Sequence, residues 1–125
     1  MIPKNLRTWF VVHFIADYLF GIPLLIAPVW TLSLLGWFTI DPATTRLVGA
    51  ALLGIGGESL LGMNAHPDTY KALLNLMIIW SLSAITGIIL SIIQGSPPMS
   101  WVILIIFVTF STLWIYYRYK LGTEK

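Results

Sequence analysis

Apolar positions fall into four long blocks, at about residues 8–27, 43–63, 70–93 and 99–119. A membrane-crossing helix needs about 20 predominantly apolar residues, because a rise of about 1.5 Å per residue must cover about 30 Å of hydrocarbon. Each block reaches that length. Isolated strands cannot satisfy their backbone in lipid, and four segments are too few to close a barrel. Helix is therefore the form that satisfies the backbone in lipid. The pattern predicts an all-α chain, one transmembrane domain over residues 1–125, built as a bundle of four transmembrane helices.

The polar punctuation between the blocks agrees. In "IDPATTR", Asp41 is placed as a helix N-cap with Pro42 in the first helical position. In "NAHPDTYK", Asp68 is expected to cap the third long helix, and "QGSPPMSW" reads as a turn into the fourth. Pro23 should kink the first span or end it. Between the first two blocks lies "APVWTLSLLGWFTIDP", where Trp30 and Trp37 are seven apart and share a helical face. It reads either as a short helix in the outer interface or as an extended apolar loop.

Composition strengthens the membrane reading. The 125 residues are 58% hydrophobic and only 10% charged, against about a quarter charged in soluble domains. Mean hydropathy is +0.87. The start, "MIPKNLRTWFVVHFIADYLF", has the basic prefix and apolar stretch of a signal peptide. Asp17 interrupts it, however, and no small-x-small cleavage site precedes Pro23 and Pro28, so it reads as a retained first span. The absence of cysteine excludes disulfides and thiol chemistry. No basic run is dense enough for a nucleic-acid footprint.

Charge position sets the expected topology. Lys4, Arg7, Lys71, Arg118, Lys120 and Lys125 fall on one side of a four-span arrangement, and only Arg46 falls on the other. Both termini are therefore expected in the cytoplasm, with the chain integral to the cell membrane. Trp9, Trp114, Tyr116, Tyr117 and Tyr119 would mark the inner interface, and Trp30, Trp37 and Trp101 the outer one. Trp80 lies mid-span and is expected to pack inside. Arg46 can snorkel, hold a lipid phosphate or pair with Asp41, the last being preferred.

Four polar residues interrupt the spans. Counting inward at 1.5 Å per residue puts His13 roughly 7 to 8 Å deep, with Glu58 and Asn75 at a similar level on two other spans. Asp17 lies one turn beyond His13 on the same face. A carboxylate at mid-membrane costs about 2.5–3.5 kcal/mol on insertion scales, so such groups face the interior and find partners. His13, Asp17, Glu58 and Asn75 are the candidate ligand or proton site. They read equally well as interhelical glue worth about 0.6 kcal/mol per hydrogen bond. His13, Asp17 and Glu58 have metal-ligand chemistry, but no second histidine is near, and no metal or cofactor is expected. His66 reads as solvated loop. In the second block, Gly49, Ala50, Gly54, Gly56, Gly57 and Gly62 invite close helix packing, with Gly49, Ala50, Gly54 and Gly57 as the packing set. The same glycines could leave room for a ligand tail.

The stretch with Pro28, Leu35 and Gly36, followed by Arg46, Leu47, Gly49 and Ala50, resembles small four-helix bacterial and archaeal proteins of the DoxX-like kind. The resemblance implies a compact four-helix bundle and transfers no activity; Glu58 departs from its pattern. Three functions stay open. The first is a bundle binding a small or lipid-like ligand, a partner protein or a second copy of itself, without catalysis. The second is a small-molecule or proton-coupled transporter. The small multidrug-resistance transporters match in span number but carry their glutamate in the first span. The third is a membrane enzyme, such as a lipid isomerase, using His13, Asp17 and Glu58 as acid and base.

Overall fold

The computed structural model describes residues 2–123, and among them every regular element is a helix. The elements are α1 (Lys4–Ile26), α2 (Pro28–Leu34), α3 (Pro42–Leu61), α4 (Pro67–Ile93) and α5 (Met99–Thr123). The chain divides into two compact units, residues 3–64 and the residues from 65 onward together with Ile2. Lys125, counted in the charge asymmetry, lies outside the described residues.

Prolines set most of the boundaries. α1 continues through Pro23 and ends at Ile26. The break falls at Ala27, whose φ of −133° and ψ of 66° are not helical. Pro28 explains it, because the residue before a proline is pushed out of the α region. α2 then starts with Pro28, and the Thr31 hydroxyl donates to the Ala27 carbonyl at 2.7 Å. Of the two readings of this stretch, the short helix holds; it is seven residues long and ends before Trp37, so Trp30 and Trp37 do not share one helix. Asp41 caps α3 as expected, accepting from the Ala43 N–H at 3.1 Å. At α4 the cap position belongs to His66, which makes no side-chain cap bond. Pro67 takes the first helical position, so Asp68 falls inside the first turn, where its charge complements the helix dipole.

In the first unit α1 and α3 run antiparallel with a shared period. The buried positions of α1 are Leu6, Phe10, His13, Asp17, Gly21 and Leu24. Those of α3 are Thr45, Gly49, Leu52, Gly56 and Ser59. Both stripes step by three and four, the spacing of a helix–helix seam. The α3 side is small because the backbones nearly touch. A Cβ at Gly49 would stand 2.9 Å from both the Gly21 carbonyl oxygen and the Leu25 nitrogen. Arg7 donates to Asn64 Oδ1 near one end of the pair, at 3.5 Å. At the other end the Arg46 Nε–H donates to the Leu25 carbonyl at 3.2 Å.

That bond replaces the expected Asp41–Arg46 pair. Asp41 is engaged by the Thr44 hydroxyl and the Ala43 N–H. Five residues also turn Arg46 well away from Asp41 around the helix. Arg46 instead serves a carbonyl in the last turn of α1, where a cation is favoured.

In the second unit Tyr70, Leu74, Met77 and Ser81 form the buried stripe of α4. Ser111, Trp114, Tyr117 and Leu121 are buried on α5. Trp80 packs edge-on against Phe107 with ring centres 6.2 Å apart. The turn between the helices needs Gly95, whose φ is +91°.

Three helices, α1, α4 and α5, are long and apolar enough to cross a membrane. α3 was expected as a fourth. Its 20 residues suffice in length, but Arg46, Glu58 and its glycines lower its apolar content. Large apolar side chains point outward on all the long helices, with Leu61 80% and Leu19 68% exposed. Such surfaces suit lipid and not water.

Candidate functional site

His13 and Asp17 are one turn apart on α1, which places both side chains on the face turned to α3. His13 Nδ1 lies 2.9 Å from Ser59 Oγ. His13 Nε2 lies 3.3 Å from Asp17 Oδ2. The exposures of His13, Asp17 and Ser59 are 4%, 8% and 0%. Gly56 makes the arrangement fit, because a Cβ there would stand 2.6 Å from the Asp17 Cβ. At the next residue, Gly57 faces the Tyr18 hydroxyl, 3.0 Å from where its Cβ would be.

Proton accounting fixes much of the chemistry. A serine hydroxyl has one hydrogen to donate. Ser59 directs it to the Ile55 carbonyl at 3.1 Å, so toward His13 the oxygen accepts and Nδ1 carries the hydrogen. Nε2 then faces Asp17. Oδ2 is buried without a formed hydrogen bond; at 3.3 Å it is within ion-pair reach of Nε2, but the two are not aligned for one. Either the carboxyl is protonated beside a neutral imidazole, or a carboxylate faces an imidazolium. Each state holds one proton between Nε2 and Oδ2, and each is neutral overall. A neutral pair is what a water-excluded helix seam tolerates, since an isolated charge is far more costly there.

The residue types match those of a nucleophilic triad, but the geometry does not. A triad serine must expose its oxygen to a substrate carbonyl beside donors for the developing oxyanion. Ser59 is wholly enclosed and its hydrogen is committed to a backbone carbonyl of its own helix. The enclosed Ser59 oxygen leaves no place beside it for a reacting group.

Of the four residues predicted from depth, the structure brings together His13 and Asp17. Glu58 shares α3 with Ser59 but lies on its exposed side, without a hydrogen bond or ion pair among the described residues. Asn75 belongs to the second unit, where its Oδ1 accepts from the Arg118 Nε–H at 2.8 Å. Depth was matched in the prediction but direction around the helix was not, and one residue step turns a side chain by about 100°. Ser59 was missed for the same reason. The signal that finds it is the small-residue stripe Thr45, Gly49, Gly56 and Ser59 around Leu52. Among the packing candidates, Gly49 and Gly57 meet α1 directly. A Cβ at Gly54 would meet nothing within 4 Å, and Ala50 is exposed. Those two positions face away from the seam, and Gly56 takes the closest contact. No group of three metal-binding side chains occurs among the described residues.

The class defined by these observations is an all-helical protein with three helices able to cross a membrane and a buried ionisable pair in one of them. Comparison with protein-family models, with curated proteins and with solved structures finds no match.

Proposed function

We propose that this chain is a non-catalytic, proton-responsive protein of the cell membrane, in which one proton shared by His13 and Asp17 governs the packing of α1 against α3. This places it nearer to proton-coupled carriers than to enzymes. The carrying observation is the neutral His13–Asp17 pair, braced by Ser59 and sealed in a seam that Gly49 and Gly56 keep tight. Adding or removing the proton leaves a charge in that seam, and the helices then separate or admit water to solvate it. Ionisable groups inside spans commonly mark such proton sites.

In this reading α3 crosses the membrane as well, giving four spans. Its support is the register with α1: Arg7–Asn64 near one end and Arg46–Leu25 at the other hold α3 at the depth of α1 along its whole length. Four crossings return the chain to its starting side, and the six-to-one basic asymmetry puts both termini in the cytoplasm. The DoxX-like resemblance fits the same architecture. A second reading, a bundle that binds a lipid-like ligand, is favoured by a groove on α4 and α5.

The test is thermal stability in detergent between about pH 5 and 8, where histidine ordinarily titrates. The wild-type midpoint should move within this range. Asp17→Asn, which keeps the shape and removes the second proton acceptor, should flatten the profile. Parallel profiles for the two proteins would overturn the reading and leave the cluster as packing.

A further inference from the structure

The groove lies within the second unit and is lined by Ile78, Ile115, Arg118, Tyr119 and Gly122, with a volume of about 430 Å³. Its walls are apolar except at Arg118. The Arg118 Nε–H donates to Asn75 Oδ1, a neutral amide that orients the guanidinium without itself compensating the charge. No carboxylate pairs with Arg118 among the described residues. Gly122 leaves room for the head, since a Cβ there would stand 3.2 Å from an Arg118 terminal nitrogen. Elsewhere around α5, Lys120 lies 5.9 Å from the centre of the Tyr116 ring, one turn before it. A guanidinium oriented through Nε retains donors on its terminal nitrogens suited to phosphate oxygens. Below it, Ile115 and Ile78 extend the groove along the direction an acyl chain would take.

We infer that Arg118, oriented by Asn75, binds the phosphate of an anionic membrane lipid, with an acyl chain lying against Ile78 and Ile115. The charge is complementary, and the apolar walls distinguish a lipid from a free anion. Tyr119 stands where headgroup-level aromatic rings are favoured. Basic residues beside a span attract anionic lipid in the same way. The inference rests on α4 and α5 crossing the bilayer and is independent of the His13–Asp17 reading.

The test is native mass spectrometry and thermal stability of the purified full chain in detergent. The added probes are phosphatidylglycerol, phosphatidylcholine and inorganic phosphate. Phosphatidylglycerol should form a retained adduct and raise the midpoint more than phosphatidylcholine, and inorganic phosphate should do neither. Arg118→Gln should weaken phosphatidylglycerol retention by about tenfold, the scale of a lost charge-assisted hydrogen bond. Ile115→Trp, which fills the groove and keeps every charge, should weaken it as well. Retention unchanged in both variants, equal effects of the two lipids, or an equal effect of inorganic phosphate would overturn the inference. Failure of the membrane reading itself would show earlier, as protein recovered in the soluble fraction before any lipid is added.

Discussion

Gly56→Ala tests the α1–α3 seam most directly. The added methyl carbon would begin 2.6 Å from the Asp17 Cβ and 3.1 Å from its Oδ2. Carbon atoms pack best at about 3.5–4.0 Å, so the helices must part by roughly 1 Å. The Asp17 Cβ is fixed to the α1 backbone and cannot swing aside. Overpacking of this kind costs about 1–3 kcal/mol. Replacing a mid-helix glycine by alanine returns at most about 1 kcal/mol in helix propensity. With that full return, the expected net effect is a loss of up to about 2 kcal/mol. Gly54→Ala is the matched control, two residues away on the same helix, because its new Cβ meets nothing within 4 Å. It should be neutral or gain up to about 1 kcal/mol. Thermal unfolding in detergent, followed by circular dichroism, reads both variants. Opposite shifts are expected, with Gly56→Ala lower than wild type. Equal shifts in one direction would refute the close approach of α1 and α3, and the geometry assigned to His13, Asp17 and Ser59 would fall with it.

Two further outcomes concern the ends of elements and of the chain. Hydrogen bonds from the Thr44 hydroxyl and then from the Ala43 N–H hold the Asp41 carboxyl below its ordinary value of 3.8. The cap is therefore stabilising above pH 3.8 and is lost as the pH falls through the lowered value, so Asp41→Ala should remove that acid-side loss; equal acid slopes for variant and wild type would disprove the cap's contribution. A reporter active only in the cytoplasm, fused after the last residue, should be active if four helices cross, and a stably inserted but silent fusion would favour an odd number of crossings.

The sequence by itself determined the helices and their membrane character. Long apolar blocks admit no other backbone form in lipid, and Asp41 with Pro42 marks where α3 starts; that Pro28 opens a helix and that Pro67 rather than Asp68 sets the start of α4 came from the structure. The sequence also announced the i, i+4 pairing of His13 with Asp17, because both lie on one continuous helix. The tertiary structure decided which third residue joins them. Depth along the membrane is a one-dimensional count, and Glu58 and Ser59 differ little in it. They differ by about 100° around α3, and only the packing of Gly49, Leu52 and Gly56 against α1 selects the face that carries Ser59. Asn75 was settled in the same way, by Arg118 lying 43 residues away on α5, a distance no local pattern records. Local chemistry is written along the chain, whereas the orientation of each helix about its own axis is set by the neighbour it packs against.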